Sequence, residues 1–287
     1  MIGIILCGGS GTRLMPVTKN VNKHFLAVYN KPMIYYSLSL LMMAKIKEII
    51  IISSTNFIKS YEDMLGNGSS IGVKIHYIIQ KKPEGLPQAF TLSESLIKNK
   101  NVCLVLGDNF LYGNGLYKML LKCKKKLNGA LIFSNYVSNP KNYAVIKFKK
   151  GKIENIVEKP KKIISNYAVP GVYFFDKTVS KKSLGLKKSK RGEYEIVDLI
   201  KTYLKEGSLD HEVIKRGISW MDMGTFDDLL STSLFVKTIE ERQNVKIGSI
   251  EEISYRNGWI SSIALSKLAT RYKNEYGKYL KNLITNK

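Results

Sequence analysis

The segment Gly8-Gly9-Ser10-Gly11-Thr12-Arg13-Leu14 follows the apolar run Ile2–Leu6 almost without a break. Glycines let a backbone turn tightly and bring its N–H groups against a ligand, which makes a nest for phosphate oxygens. Arg13 adds a permanent positive charge in a planar fork that suits phosphate. Two better-known phosphate loops do not fit. A P-loop ends in Gly-Lys-Ser/Thr, a tripeptide absent from this chain. A dinucleotide fingerprint needs a third glycine where Leu14 stands and an acid about 20 residues further on, and no acid lies near residue 30. Three glycines with Thr and Arg are still more than a tight turn requires.

Other residues could share that chemistry. Asp108 ends the apolar run Val102–Leu106, where a charge has little reason to sit unless it meets a crevice. Asp222 follows Trp220-Met221 and precedes Gly224. An Asp at such a place also serves as a cap or turn residue, so each alone leaves both readings open. Glu158 and Lys159 are adjacent, and neighbours on a strand point to opposite sides. Both can reach one substrate only if the backbone bends, with Pro160 the nearest cause; otherwise they are a solvated pair. Three cysteines (Cys7, Cys103, Cys123) have no zinc-like spacing, and three histidines (His24, His76, His211) are too scattered for a metal cluster. No Ser/His/Asp or Cys/His constellation suggests a covalent nucleophile.

The elements that must position these residues follow from hydrophobic pattern. Ile2–Leu6, Glu48–Ser53, Val73–Ile79, Val102–Leu106 and Ala130–Val137 are short apolar runs, and the first, second and fourth lack polar alternation, the mark of strands buried on both faces. Between them, helical patterns cover Pro32–Ile46, Phe57–Leu65, Pro87–Lys98 and Leu116–Lys126. This alternation predicts an α/β fold: a Rossmann-like, mostly parallel central sheet with helices on both faces and its strand C-termini at one ligand-binding edge. Tyr143–Phe148 and Ile153–Glu158, around Lys150-Gly151-Lys152, read as a β-hairpin, and Gly171–Phe175 as a strand. Arg191–Lys205 and Phe226–Glu241 read as helices, and the chain is mostly helical from Ser249. The expected organisation is one unit over residues 1–245, with a first part to about 140 and a second over 141–245, and a helical extension over 246–287 packed on it.

Composition narrows the class. The 287 residues are 44% hydrophobic and 24% charged, as in an ordinary globular protein. There are 46 basic and 23 acidic residues, for a net charge of +23, but only six of the basic residues are Arg and the Lys are spread along the chain. A nucleic-acid reader would cluster Arg; no nucleic-acid role is expected. The longest nearly apolar stretch, around Met33–Ala44, is too short for a membrane span. Met1–Leu6 lacks a signal peptide's basic start. Reduced thiols and a cytoplasmic location are expected.

The glycine loop, Lys31-Pro32-Met33-Ile34-Tyr35-Tyr36, Leu106-Gly107-Asp108-Asn109, Glu158-Lys159-Pro160, Ser165-Asn166-Tyr167-Ala168-Val169, Arg191-Gly192-Glu193 and Trp220-Met221-Asp222-Met223-Gly224-Thr225 together resemble the sugar-phosphate nucleotidylyltransferases. Within that family the likeness is to enzymes that use dTTP and glucose 1-phosphate, and it runs in order through nearly the whole chain. The resemblance implies thymidylyl transfer from dTTP to glucose 1-phosphate, giving dTDP-glucose and pyrophosphate for dTDP-deoxysugar synthesis such as that of rhamnose. Both reactants are anions, so positive groups and a metal must offset their repulsion.

By the same resemblance, Gly8, Gly9, Ser10, Gly11 and Thr12 hold the nucleotide and Arg13 clamps its phosphates. Lys23 orients or charge-stabilises phosphate. Gln80, Pro83, Gly85 and Gln88 form the base-reading segment, where a glutamine can both donate to and accept from a pyrimidine edge. Asp108 and Asp222 bind Mg²⁺, a cation that prefers carboxylate and phosphate oxygens. Glu158 meets sugar hydroxyls, Lys159 and Arg191 meet the sugar phosphate, and Tyr143 and Gly171 line the sugar pocket. Tyr112, Gly113, Arg216, Lys246, Glu252 and Arg256 fall in segments comparable to a second, regulatory nucleotide-sugar site. A homotetramer is the expected assembly. Cys7, His24, Ala144, Pro170 and Met223 depart from the usual pattern, the family commonly carrying Ala, Gln, Gly, Thr and Thr there. UTP as the nucleotide, or a non-catalytic sugar-nucleotide sensor, are the alternatives.

Overall fold

A computed structural model describes residues 1–9 and 11–285. Its strands are β1 (Ile2–Leu6), β2 (Ala27–Val28), β3 (Lys31–Pro32), β4 (Glu48–Ser53), β5 (Lys74–Ile79), β6 (Val102–Leu106), β7 (Asn109–Gly113), β8 (Ala130–Tyr136), β9 (Ala144–Lys149), β10 (Lys152–Glu158), β11 (Tyr167–Ala168), β12 (Val172–Phe175), β13 (Leu209–Val213) and β14 (Ile218–Asp222). The central sheet runs β10-β9-β11-β8-β12-β6-β1-β4-β5, with β13 also paired to β8. Strands β6, β1, β4 and β5 are mutually parallel.

The absence of polar alternation in the first strands has a direct cause. Along β1, Ile5 faces one core cluster while Ile2, Ile4 and Leu6 face another. The same division separates Ile49 and Ile51 from Ile50 and Ile52, and Cys103 and Val105 from Val102 and Leu104. On one face the helices Met33–Met43 and Leu116–Lys126 supply Ile34, Leu38, Leu41, Met119 and Leu120. On the other, Phe90, Val179 and the helix Ile196–Lys205 close the second core. Each buried aliphatic side chain contributes roughly 1.5–3 kcal/mol, so a sheet covered twice holds its strand ends firmly.

The structure changes the expected topology at β12. It enters antiparallel between β6 and β8, so it starts, rather than ends, at the edge where β1 and β6 end. The Leu106 N–H donates to the Gly171 carbonyl at 2.8 Å there. Two expected helices also change. Pro87–Lys98 is two short helices, Gln88–Leu92 and Glu94–Ile97, divided at Ser93. Arg191–Lys205 is helical only from Ile196, leaving 191–195 as a loop. Strands β7, β13 and β14 were not foreseen.

The C-terminal helices lie on the same body. Ser254 Oγ donates to the Ile71 carbonyl at 2.5 Å, and Asn257 Nδ2 to that of Met42 at 3.0 Å. Buried Glu240 accepts from Asn30, Lys31, Lys246 and the Ile247 N–H at 2.7–3.0 Å, joining the β2–β3 ribbon to the start of this extension. No described helix is long and apolar enough to cross a membrane.

Candidate active site

The ends of β1, β6, β10 and β14 and the starts of β9 and β12 surround a cavity of about 350 Å³. Gly8, Gly9, Arg13, Lys23, Gln80, Pro83, Gly85, Asp108, Tyr143, Glu158, Lys159, Gly171, Arg191 and Asp222 all line it. These residues span more than 200 positions of sequence and meet in one place. Gly11, Thr12 and Gln88 do not line it. The Gly11 carbonyl instead accepts from Thr18 Oγ1 at 2.8 Å, Thr12 opens a single helical turn, and Gln88 supports Gln80 from behind. Ser10 lies outside the described residues.

Register brings the two aspartates together. Strand β14 pairs antiparallel with β7, with Asp222 opposite Asn109, and the Met223 N–H donates to the Asp108 carbonyl at 3.0 Å. Burial would push the Asp108 carboxyl up, but the neighbouring Lys23 ammonium, which donates to Asp108 Oδ2, outweighs it and holds it at about 2. Burial, and then the Asp108 charge, push Asp222 up to about 7, with Arg13 and Lys23 pulling the other way. Two crowded carboxylates of this kind suit a hard divalent cation, which takes oxygen ligands. Among the described residues no further His, Cys, Asp or Glu joins them in a metal-ligating group, so the remaining ligands would come from substrate and water.

Asn109 ties the aspartates to the other end of the cavity. Its Oδ1 accepts from the Gly171 N–H and from Trp220 Nε1, both at 2.8 Å. The Trp220 ring meets Tyr143 edge-on, with centroids 5.0 Å apart. Arg13 lies against Gly224: a Cβ there would fall 2.6 Å from its Nη2. The glycine after Asp222 is thus the space the guanidinium occupies.

At the end of the cavity formed by residues 80–88, Gln80 Nε2 donates to Gln88 Oε1 at 2.7 Å, and that oxygen also accepts from the Glu84 N–H at 3.0 Å. Gln80 leans against Gly8. Gly85, at φ +104°, bridges to Tyr194, and a Cβ on it would lie 2.0 Å from the Tyr194 carbonyl oxygen. The Tyr194 N–H donates to the Glu84 carbonyl at 2.8 Å. The 80–88 segment and the 189–195 loop therefore meet across the rim.

The bend needed at Glu158-Lys159 occurs at Lys159 rather than at Pro160. Lys159 itself adopts φ +41°, and its N–H donates to the Tyr143 carbonyl at 3.1 Å. Both side chains then face the cavity. Burial raises the Glu158 carboxyl, with Lys159 and Arg191 opposing. Arg191 is held by Glu195 through Nε at 3.1 Å and Nη2 at 2.7 Å.

The sequence reading missed Leu86, Asn142, Tyr194, Glu195 and Ile196 as lining residues. A helix expected over 191–205 hid the loop that carries Tyr194 and Glu195 and the true helix start at Ile196. Of the five departures, His24 and Ala144 line the cavity, while Met223 packs in a core with Tyr36 and Phe110. Cys7 is buried beside β1. Away from this site, Lys246 and Arg256 line a second cavity of about 470 Å³ with Lys278 and Tyr279. Glu252 sits at its side, accepting from Arg256 and Tyr279 at 2.6 Å. Tyr112 donates instead to Gln243 Oε1 at 2.9 Å, Gly113 lies opposite Ile218 on the β14 ladder, and none of Tyr112, Gly113 and Arg216 lines that cavity.

Residues 2–239 match the family model described as nucleotidyl transferase. The chain belongs to the nucleotidyl transferase family. It is 45% identical to a glucose-1-phosphate thymidylyltransferase of Neisseria meningitidis serogroup A over 99% of each chain. It is 47% identical to one of Mycolicibacterium smegmatis, again over 99% of each. Among solved structures, one from Bacillus anthracis, provisionally assigned the same activity and solved with sucrose, aligns with a TM-score of 0.76 at 35% identity. That alignment covers 82% of this chain and 95% of that one.

Proposed function

We propose that the chain transfers a thymidylyl group from dTTP to α-D-glucose 1-phosphate, giving dTDP-glucose and pyrophosphate for dTDP-deoxysugar synthesis. The observation that carries this reading is the meeting, in one cavity, of Arg13 and the glycine loop with Asp108, Asp222, Glu158, Lys159 and Arg191. Near-identical length and high identity to the thymidylyltransferases above support it over a UTP-using enzyme or a sensor.

The residues divide the work by place. Gly8 and Gly9 offer backbone N–H groups to the nucleotide phosphates, and Arg13 its fork. Gln80, backed by Gln88, faces the base beside Pro83 and Gly85. Tyr143, Gly171 and Glu158 receive the sugar, Glu158 by accepting from its hydroxyls. Lys159 and Arg191 hold the sugar phosphate so that one of its oxygens faces the α-phosphorus in line with departing pyrophosphate. Lys23 offsets charge on the transferring phosphate. Asp108 and Asp222 would hold Mg²⁺, which when bound supplies charge neutralisation between the two phosphates. Positioning and electrostatics suffice, because phosphate itself is the nucleophile.

The working location is the cytoplasm and the assembly a homotetramer, with the cavity at Lys246 and Arg256 as a regulatory site. The test incubates purified protein with dTTP, Mg²⁺ and glucose 1-phosphate and measures pyrophosphate; no release above an Asp108→Asn control rejects the reading. Equimolar dTTP and UTP in one tube decide the nucleotide.

A further inference from the structure

The loop 189–195 is built around one carboxylate. Glu195 Oε1 accepts from Ser189 Oγ at 2.6 Å and from Arg191 Nε at 3.1 Å, and Oε2 accepts from Arg191 Nη2 at 2.7 Å. The Arg191 N–H donates to Ser189 Oγ at 3.2 Å, the Ser189 N–H to the Glu193 carbonyl at 2.8 Å, and the Gly192 N–H to that of Ser189 at 2.9 Å. Glu195 is 14% exposed and Arg191 50%. The four-residue spacing would be an ordinary surface pair on a helix, worth little, but 191–195 is not helical. Glu195 stands at the N-cap of the helix Ile196–Lys205 without capping it; its carboxylate turns to Arg191 instead.

A guanidinium carries five N–H groups in a fixed fork. Glu195 engages the Nε–Nη2 edge, and among the described residues no hydrogen bond engages Nη1, the side left for an anion in the cavity. By charge alone, Glu195 works against phosphate binding. Lys159 and Arg191 already face Glu158, Glu193 and Glu195 in the same cavity, so Glu195 makes this end less attractive to a phosphate. Its value is therefore geometric. A half-exposed arginine on a flexible stem is held ready in one orientation.

We infer that Glu195 is a positioning residue that presents the free edge of Arg191 to the sugar phosphate. This rests on the reading of Arg191 as a sugar-phosphate ligand. KM for glucose 1-phosphate and for dTTP, together with kcat, are measured for wild type, Glu195→Gln, Arg191→Ala and the double variant. Glu195→Gln raises KM for glucose 1-phosphate about tenfold, while KM for dTTP and kcat each change less than about threefold. In the Arg191→Ala background it adds less than about twofold. A lowered or unchanged KM for glucose 1-phosphate in Glu195→Gln, or the full increment persisting without Arg191, overturns the inference. An unchanged KM in Arg191→Ala defeats the underlying reading instead. Should Glu195→Gln not fold, Ser189→Ala, which frees the same carboxylate oxygen, must raise that KM by about threefold with dTTP unaffected; no rise again overturns it.

Discussion

Asp222 stands opposite Asn109 across the β7–β14 ladder, one residue from Asp108, and near enough for the Asp108 charge to help raise its carboxyl. Two strands absent from the apolar pattern thus create the acidic pair. Asp222→Asn should lower pyrophosphate release by at least about a hundredfold, as expected when a charge at the transferring group is lost. It should not lower the melting temperature, because burial already disfavours that charge. Chelation with EDTA should abolish activity in the wild type and added Mg²⁺ restore it. Activity that survives chelation contradicts the role given to both aspartates.

Arg13 lies in the space left by Gly224 and near Asp222. Lysine there keeps the charge but loses the planar fork. Arg13→Lys should cost about thirtyfold or more in kcat/KM for dTTP. Lys59→Ala, on an exposed helix face, should stay within about twofold. Similar losses in the two variants would remove Arg13 from the phosphate clamp.

Gly85 combines a left-handed backbone with contact to the Tyr194 carbonyl. A methyl group would strain the backbone and part the rim at once, at a cost of about 2 kcal/mol or more. Gly85→Ala should therefore unfold at lower urea and also raise KM for both substrates. An unchanged urea midpoint would mean that the rim contact carries no stability.

His24 is buried and neutral, its Nδ1 2.6 Å from Asn22 Oδ1. Burial, then the Lys23 charge, lower it to about 3 from an ordinary value of 6.5. Below pH 6.5 the unfolded chain takes up a proton that the folded one refuses, so stability falls as pH falls, and this loss grows until about pH 3. Between pH 7 and pH 5 the contribution is about 2 kcal/mol, from roughly 1.4 kcal/mol per pH unit. His24→Gln should lose that much less over the same interval in urea titrations. Parallel curves for the two proteins would assign the acid sensitivity elsewhere.

The parallel core was legible because residues buried on both faces leave an unmistakable apolar run: Ile2–Leu6, Glu48–Ser53 and Val102–Leu106 stand as read. Strands β7 and β14 are as long as β1 and β6 but escaped because Asn109, Tyr112 and Gly113 interrupt the apolar character of one, and Ser219 and Asp222 that of the other. The direction of β12 escaped because an apolar run carries no sign of its orientation. Cavity-lining residues were legible where unusual types follow a strand, as with Gly8, Gly9, Arg13 and Asp108. Leu86, Tyr194 and Ile196 are ordinary residues that line the cavity only because of the place the fold gives them. Glu195 was concealed by a pattern that also fits a helix.

The four donors on Glu240 come in equal shares from the ribbon after the glycine loop and from residues beyond Val245. A chain shortened after Val245 would keep the whole catalytic cleft on paper. It would lose two of the four donors to Glu240, leaving that buried carboxylate with Asn30 and Lys31 alone. The tail is thus a structural keystone, and the smallest autonomous version of this protein is longer than the part that touches its substrates.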